Sequence, residues 1–317
     1  MSDPRKMVRP ENNAAPAGES DWDRFVGEGS PLASALAEDM KRLASIGEME
    51  FKKPTLTRII AVANQKGGVG KTTTAVNLAA ALARGGLRVL VVDDDPQGNA
   101  STALGVHERE GMPSLYDVLL KRQPLLSILK PTEKLPNLYI APSNIDLALV
   151  DVEIADEEDR RYRLRDALNE CLEALAEHGT PIDYVLIDCP PSMSLLPINA
   201  LIAAHEVLIP VQAEYYALEG LTQLLRTIEG AKNSSNPDLE ITTILLTMFA
   251  RNTNLSGEVA QNVREFFPDQ TLETEIPRSV RIAESPSYGE TVITYAPRSS
   301  GAIAYLAAAH ELANRAN

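Results

Sequence analysis

The stretch NQKGGVGKTTT, from Asn64 to Thr74, places three glycines between two lysines. A short apolar run, RIIAVA at 58–63, comes before it, and a helical pattern that ends at Gly85-Gly86 follows it. Glycines let the backbone turn so that successive N–H groups point inward, and the start of a helix adds its positive dipole end. The order of strand, glycine-rich loop and helix therefore predicts a phosphate-binding loop.

The loop also carries the side chains that triphosphate chemistry requires. Lys71 is placed to reach the β- and γ-phosphates, and the hydroxyl of Thr72 is a ligand for Mg²⁺. A dinucleotide-binding GxGxxG loop does not fit, because Thr73 stands where its third glycine belongs. The residues expected to hold the nucleotide from this loop are Gly67, Gly68, Val69, Gly70, Lys71, Thr72 and Thr73.

Short β-branched runs alternate with helical stretches along the rest of the chain. The runs lie at 88–93, 184–188, 206–211 and 241–247. The helical patterns lie at about 161–178, 217–232 and 256–267. This alternation predicts an α/β fold, a three-layer P-loop NTPase with a mostly parallel, doubly wound central sheet flanked by helices. Ligands in such sheets bind at the carboxyl ends of the strands.

Carboxylates stand at the ends of two predicted strands. In VVDDDPQGNAST, Asp93 and Asp95 are two residues apart and share one face of an extended strand, whereas Asp94 points to the other face. Asp188 ends the apolar run YVLID and is predicted to be a further carboxylate near Mg²⁺. It is expected to hold the ion through water, because Mg²⁺ keeps several waters. The neighbouring Cys189 is interpreted as a small buried residue and not as a catalytic thiol.

Composition narrows the class of protein. The chain has 317 residues, a formal net charge of −14 and only two cysteines. It has no run of about 18 apolar residues and no apolar segment of the kind that a secretory signal carries near its start. These features predict a cytoplasmic protein with no membrane partner. A charge of this sign repels nucleic acid at long range, so any DNA binding requires a local patch.

Three segments differ in their pattern. Residues 1–29 are rich in Pro, Gly, Asn, Asp and Glu and are predicted to be a disordered tail. Residues 30–56 are predicted to form an amphipathic helix and a linker, and the apolar stripe of the helix is Leu32, Leu36, Met40 and Leu43. That helix either packs on the main domain or docks on a partner or a second subunit. Residues 57–317 form the nucleotide-binding domain.

The front of the loop departs from the ordinary motif. Gln65 stands where the first glycine belongs, and Lys66 follows it. With DDDPQGN at 93–99 and VLIPVQAEYYALEGL at 207–221, this early lysine makes the chain resemble the ParA/Soj partition ATPases, which share a group with MinD and the nitrogenase iron protein. The resemblance implies that residues 57–317 are a deviant Walker A P-loop ATPase domain that uses ATP and Mg²⁺.

The resemblance also implies how the site works. Two subunits form a homodimer around two ATP molecules, and Lys66 crosses the interface to the phosphates of the partner's nucleotide. Asp95 orients the attacking water, and Asp93 supports the metal region with Thr72 and Asp188. The segment at 93–99 matches the family's first switch, and the two prolines after Cys189 match its second switch. The expected catalytic residues are Lys66, Lys71 and Asp95. Lys66 also joins the nucleotide-binding set, and by analogy Pro277 lies by the adenine.

In ParA/Soj proteins the dimer binds double-stranded DNA without sequence preference, through arginines in the C-terminal half. The matching positions are Arg251 and Arg281, with Arg278 close by. Residues 251–317 carry six arginines against eight acidic side chains, so a basic patch has to be built by geometry across the dimer. Without the resemblance, each arginine is equally well interpreted as a member of a surface ion pair.

The predicted function is an ATP-dependent switch for chromosome or plasmid partition. A ParB-type protein is the expected partner that stimulates slow hydrolysis and release, and the expected location is the nucleoid. Two other classes stay open: a positioning ATPase of the same fold for a non-DNA cargo, and a metabolic P-loop enzyme such as a ligase or a small-molecule kinase. The chain ends without MinD's basic membrane helix, and two scattered cysteines do not supply the iron protein's cluster ligands.

Overall fold

A computed structural model describes residues 50–107, 111–192, 194–214, 217–250 and 253–315. Its strands are β1 (Arg58–Val62), β2 (Val89–Asp93), β3 (Lys130–Pro131), β4 (Leu138–Ala141), β5 (Tyr184–Asp188), β6 (Glu206–Gln212) and β7 (Glu240–Thr247). The disordered tail predicted at 1–29 and the amphipathic helix predicted from Ser30 lie outside the described residues, and the boundary between linker and domain at 56/57 stays a prediction.

The helices are α1 (Lys71–Arg84), α2 (Asn99–Ala103), α3 (Leu115–Leu119), α4 (Leu125–Ile128), α5 (Val150–Glu153), α6 (Arg163–Glu177), α7 (Leu195–Ala203), α8 (Ala217–Ser234), α9 (Asn254–Phe266), α10 (Val280–Glu284), α11 (Val292–Tyr295) and α12 (Ser300–Asn314). Two 3₁₀ turns, Ile145–Leu149 and Ser285–Tyr288, lie directly before α5 and after α10.

The seven strands form one sheet in the order β3-β4-β2-β5-β1-β6-β7. Neighbouring strands are parallel except β3 and β4, which pair antiparallel at one edge. The loop that follows β1 lies near the middle of the sheet, with β5 on one side and β6 on the other. The predicted mostly parallel, doubly wound sheet is confirmed.

Alternate residues of the central strands face two separate cores. In β1, Ile59 packs in the first core with α6, α7 and α8, whereas Ile60 packs in the second core with α1 and α12. In β2, Leu90 and Val91 divide in the same way. Because successive side chains of a strand point to opposite faces, a strand that is apolar throughout requires helices on both sides. The predicted three layers follow from this pattern.

The predicted runs and helices coincide with five strands and four helices of the structure, within a few residues at each end. Sequence reasoning missed β3 and β4, the short helices α2–α5, α10 and α11, and the longer helices α7 and α12. β3 has two residues, one of them a proline, which is tolerated only at a sheet edge. Most residues of α7 and of α12 are buried. A helix that is buried on most sides has no polar face and therefore no clear 3.6-residue period.

The described part of the predicted linker, residues 50–56, has no helix or strand assigned. Phe51 nevertheless packs against the second core, and its ring meets the ring of His310 edge-on at a centroid distance of 5.5 Å. A Cβ atom on Gly85 would lie 2.5 Å from the Phe51 ring. The glycine that ends α1 therefore makes room for an aromatic residue that precedes the domain in sequence.

Candidate nucleotide site

A cavity of about 690 Å³ opens at the carboxyl ends of the central strands. The loop after β1, the turn after β2 and the prolines after β5 contribute to it, together with residues from the 3₁₀ turn before α5, from α5, from the start of α7 and from the position that follows β7. The lining residues include Gly67, Gly68, Gly70, Lys71, Thr72, Thr73, Asp95, Gln97, Asn99, Ile145, Ala148, Asp151, Pro190, Pro191 and Met248. Of the predicted loop residues 67–73, all except buried Val69 line the cavity, together with Asp95. This position is expected for a ligand site at the carboxyl edge of a parallel sheet.

The backbone of the loop takes the shape of a phosphate cradle. Gly68 and Gly70 have φ angles of 75° and 89°, in the left-handed region that residues with a Cβ rarely adopt. Gly70 is also the N-cap of α1, so the positive end of the helix points into the cavity. Thr247 at the end of β7 donates to the carbonyl of buried Val69 at 2.8 Å and fixes the back of the loop.

Lys71 is buried, and its Nζ donates to the carbonyl of Lys66 at 3.2 Å. Burial lowers the pKa of Lys71, and the negative charges of Asp188 and Asp95 act in the opposite direction. A buried ammonium group with one carbonyl as its acceptor is stabilised by a hydrogen bond to a phosphate oxygen, because hydrogen bonds between charged groups are stronger than neutral ones.

Asp188 is the strongest candidate to hold a metal through water. It is 0% exposed, and no described residue donates a hydrogen bond of normal length to either carboxylate oxygen. Burial raises its pKa well above the ordinary value; Asp93 adds to the rise, and the hydroxyl of Thr72 opposes it. A buried carboxylate beside a loop hydroxyl offers hard oxygen ligands that fit Mg²⁺, which uses one or two such groups plus phosphates and waters.

Asp93 lies beside Asp188 in the β2–β5 ladder but has partners of its own. Its Oδ2 accepts from the backbone N–H of Ser101 at 2.7 Å and from the Ser101 hydroxyl at 2.6 Å. Burial raises the pKa of Asp93 to about 6, against these hydrogen bonds. Neither Asp93 nor Asp188 is among the residues that line the cavity, and the metal roles predicted for both stay predictions. Among the described residues, no cluster of three or more His, Cys, Asp or Glu side chains is placed to hold a metal.

The two aspartates that follow β2 have different surroundings. Asp95 lines the cavity, and its Oδ1 accepts from the N–H of Gln97 at 3.0 Å. Asp94 does not line it; it is 0% exposed, and neither of its carboxylate oxygens has a hydrogen-bond partner among the described residues. Burial, followed by the charge of Asp93, raises the pKa of Asp94 well above its ordinary value. β2 ends at Asp93, so the divergence arises in the turn and not within the strand.

Lys66 lies at the rim of the cavity and not in its lining. Its backbone N–H donates to Asn64 Oδ1 at 3.0 Å, and buried Asn64 in turn donates to the carbonyl of Pro210 at 2.8 Å. The Lys66 ammonium lies 3.5 Å from Glu214 Oε2, and both side chains are partly exposed. The loop therefore holds the backbone of Lys66 firmly and leaves its charge at the surface.

The residues predicted for DNA and for adenine lie elsewhere on the chain. Arg278 and Arg281 are exposed, and Arg281 Nη1 is 3.0 Å from Glu284 Oε2. Pro277 pairs with Phe249 through an isolated parallel bridge and does not line the cavity. Arg251 lies outside the described residues. The structure thus places Arg278 and Arg281 on one surface segment, at the start of α10.

Several lining residues carried no role in the sequence analysis. Met248, with a φ of 50°, follows β7, and the hypothetical Cβ of Gly70 would be 4.0 Å from its side chain. Ile145, Ala148 and Asp151 reach the cavity from the 3₁₀ turn and α5. Their residue types occur throughout any sequence, so only the three-dimensional arrangement marks them.

The fold and this loop define a P-loop nucleoside triphosphatase of the deviant Walker A type. A family model described as an AAA domain matches residues 57–241. The chromosome partitioning protein ParA of Caulobacter vibrioides is 50% identical over 258 residues, which cover 81% of this chain and 94% of that protein. The chain belongs to the ParA/Soj family of partition ATPases.

Other comparisons agree with this family. The sporulation initiation inhibitor protein Soj of Bacillus subtilis is 48% identical over 81% of this chain and 98% of its own length. A crystal structure of cobyrinic acid a,c-diamide synthase from Mycobacterium smegmatis with bound ADP and magnesium is 38% identical, with a TM-score of 0.67 over 80% of this chain and 93% of that one. The cell division ATPase MinD of Pyrococcus furiosus is 28% identical, with a TM-score of 0.64 over 80% and 98%.

No helix in the described part of the chain has the combination of length and apolar character that a bilayer crossing requires.

Proposed function

We propose that the chain is an ATP-dependent switch for chromosome or plasmid partition. ATP binding pairs two copies face to face, the pair binds double-stranded DNA without sequence preference, and a ParB-type partner stimulates hydrolysis and release. The observation that carries this proposal is the position of Lys66. Its ammonium lies at the surface, outside the cavity of its own chain, whereas Lys71 already serves that cavity. The relatives named ParA and Soj support the same conclusion.

The residues of the cavity act mainly by positioning and by neutralising charge, as phosphoryl transfer requires. Lys71 exchanges the Lys66 carbonyl for phosphate oxygens, and each such charged hydrogen bond contributes about 1.5–3 kcal/mol. Bound Mg²⁺ neutralises phosphate charge, and Thr72 and Asp188 are the residues that would hold it. Asp95, with one oxygen fixed by the Gln97 N–H, orients the attacking water.

The cavity supports slow hydrolysis in the isolated chain. Its lining, within the described residues, contains no arginine that would stabilise charge in the transition state. A ParB-type partner that inserts a basic segment supplies the missing cation. The rate of ATP hydrolysis is then set by the partner, and the nucleotide state reports whether the partner is present.

DNA binding is assigned to Arg251, Arg278 and Arg281. Arg278 and Arg281 are exposed, and Arg281 exchanges Glu284 for a phosphate when DNA binds. Contacts of this kind release counterions, so affinity falls steeply as salt rises. In a cell, this binding places a cytoplasmic protein on the nucleoid, which a fluorescent fusion reports.

Gel filtration with light scattering tests the proposal. Asp95→Ala protein with ATP is expected to elute as a dimer and to shift again with duplex DNA, while Lys66→Gln protein with ATP stays monomeric. Arg281→Glu protein is expected to pair normally and to lose DNA. Pairing by Lys66→Gln protein that equals pairing by the parent contradicts the proposed role of Lys66.

Two other functions have an observation in their favour. The likeness to MinD favours a positioning ATPase for a different cargo, and wild-type dimer with no affinity for DNA would support it. The likeness to a structure named as a diamide synthase favours a metabolic enzyme. That class requires fast ATP turnover that depends on a small-molecule acceptor, which a turnover assay with and without the acceptor measures.

A further inference from the structure

Glu214 stands where the chain leaves β6, on the rim of the nucleotide cavity. Among the described residues it is the one acidic side chain within ion-pair distance of Lys66, with Nζ and Oε2 3.5 Å apart. This contact joins the lysine that marks the deviant loop to a carboxylate of the same chain.

The carboxylate of Glu214 has a fixed position. Gln212 donates from Nε2 to Glu214 Oε1 at 2.5 Å, and the backbone N–H of Glu214 donates to the Gln212 carbonyl at 2.8 Å. The residue between them, Ala213, donates its N–H to the carbonyl of Thr247 on β7. With one oxygen held by Gln212, the other oxygen is directed at Lys66.

The backbone of Lys66 is anchored to the same strand. Asn64 accepts from the N–H of Lys66 and donates to the carbonyl of Pro210 on β6, two residues before Gln212. Lys71 holds the carbonyl of Lys66 from the other side. The backbones of loop and strand are therefore held together, which keeps the two partly exposed side chains of Lys66 and Glu214 within reach of each other.

We propose that Glu214 is a positioning residue, the resting counter-ion of Lys66, which holds the ammonium on its own chain and releases it when a second copy of the chain brings its triphosphate to the rim. This inference rests on the proposed function, since it requires Lys66 to act across a dimer. Pairing then breaks two Lys66–Glu214 contacts, one in each copy. Glu214 thereby opposes premature pairing and makes dimerisation depend on the full charge of the triphosphate.

The expected effect follows from the exposure of the pair. Ion pairs between partly exposed side chains are weak, and two of them broken per dimer correspond to a change of about 2- to 30-fold in the dimer dissociation constant. Glu214→Gln keeps the shape of the side chain and the hydrogen bond with Gln212 while removing the charge. This variant is therefore expected to pair about 2- to 30-fold more tightly than the parent with the slowly hydrolysed analogue ATPγS and Mg²⁺.

Glu229→Gln is the matched control. Glu229 is an exposed acid on α8 whose carboxylate accepts from Asn233, and its substitution removes the same charge from the molecule. Sedimentation velocity over a range of protein concentrations measures pairing in the parent and in both variants. The control is expected to pair like the parent. This result would show that the effect of Glu214→Gln comes from the local contact with Lys66 and not from weaker electrostatic repulsion between two negatively charged copies.

Salt supplies a readout that a purely structural role would not change. The advantage of Glu214→Gln over the parent is expected to shrink as ionic strength rises, because screening weakens the contact that only the parent contains. The temperature of thermal unfolding without nucleotide is expected to fall only slightly in Glu214→Gln protein, by the loss of one weak exposed ion pair. Binding of a fluorescent ATP analogue to the monomer is expected to be the same in all three proteins.

The outcomes separate the two proposals. A parent protein that stays monomeric with ATPγS overturns the proposed function and this inference with it. A parent that pairs, together with Glu214→Gln protein that pairs no more tightly, overturns this inference alone. Weaker pairing by Glu214→Gln also overturns it, because Glu214 would then contribute to the dimer itself.

Discussion

At the scale of single residues, several buried carboxylates lie close together at the nucleotide site. Asp93, Asp94 and Asp188 are each 0% exposed, and of the three only Asp93 has hydrogen-bond donors to its carboxylate within the described residues. Burying a charge without a partner destabilises the fold, so each unpaired carboxylate lowers stability unless function requires it. Asp188 has a functional reason in the proposed metal role, whereas no functional role is assigned to Asp94.

Asp94→Ala is therefore expected to stabilise the protein. Removing an unsatisfied buried polar group raises the free energy of unfolding by about 1–3 kcal/mol, reduced by the small space that alanine leaves. Urea unfolding without nucleotide measures the change. Asp94→Asn is the control: it removes the charge, keeps the buried polar atoms and gives a smaller gain. Loss of stability in the alanine variant contradicts this account of Asp94.

Asp188→Asn is expected to separate stability from function. The variant removes an unpaired buried charge, so its melting temperature without nucleotide is expected to equal or exceed that of the parent. If Asp188 holds Mg²⁺, the further rise in melting temperature that MgATP gives the parent is lost, while a rise from ATP in excess chelator is kept. A full MgATP response in the variant would remove Asp188 from the metal site.

At the scale of elements, hydrogen bonds tie the turn after β2 to its surroundings. Ser101 on α2 donates to Asp93 and accepts from the N–H of Ser143 at 3.1 Å, and the Ser143 hydroxyl donates to the carbonyl of Asp95 at 2.7 Å. Just beyond α2, the backbone at Gly105 touches Gly289, which ends the 3₁₀ turn after α10. The 3₁₀ turn that directly follows α10, which carries Arg281, is thus packed against the end of α2, the helix whose Ser101 binds Asp93.

Gly289→Ala is expected to disrupt this packing. Gly289 has a φ of 64°, and a Cβ there would lie 3.1 Å from Gly105 Cα. Gly111 is a matched control, because its φ is 77° and a Cβ there would meet no atom of the described residues within 4 Å. Gly111→Ala is expected to lower the free energy of unfolding by about 1–2 kcal/mol, the backbone cost alone. Gly289→Ala is expected to lower it by at least about 1 kcal/mol more. Equal losses in thermal unfolding would show that the close approach is unimportant.

At the scale of the whole molecule, Arg58 joins the elements at the amino ends of the strands, opposite the cavity. Its guanidinium makes a two-point ion pair with Glu206 of β6, at 2.6 and 2.7 Å, and donates to the carbonyl of Leu312 on α12. Thr242 of β7 donates to the same carboxylate at 2.6 Å. Burial raises the pKa of Glu206, but the bonds from Arg58 outweigh it, so the net shift is downward.

Arg58→Met is expected to lose about 3–5 kcal/mol of stability, because it leaves Glu206 buried without its cation. Arg122→Met is the control, since Arg122 pairs with Glu153 at the surface and its loss costs less than about 1 kcal/mol. The Glu206 contribution is present above the unfolded pKa of 4.5 and is lost as pH falls through the lower folded value. Urea unfolding of both variants at neutral and acidic pH measures these effects, and equal losses at neutral pH would contradict them.

The sequence by itself determined the loop, the strands that flank it and the family. A glycine-rich turn between an apolar run and a helix is a local pattern, because its backbone angles and helix dipole depend on residues close together in the chain. The same locality made the five predicted strands predictable. The separation of Asp94 from Asp95, in contrast, arises in a turn and not from the strand alternation that was used to predict it. The short strands β3 and β4 and the buried helices α7 and α12 were missed, since short strands and helices without a polar face carry no clear period.

Only the tertiary structure decided which charges meet. Asp93 and Asp188 become neighbours through β2–β5 pairing, and Lys66 faces Glu214 because β1 and β6 lie side by side. Met248 enters the cavity from β7 by the same means. Sheet pairing joins residues that are far apart along the chain, and no local pattern records the partner. The sequence therefore fixes the chemistry of this protein residue by residue, whereas the fold fixes the distances at which that chemistry acts.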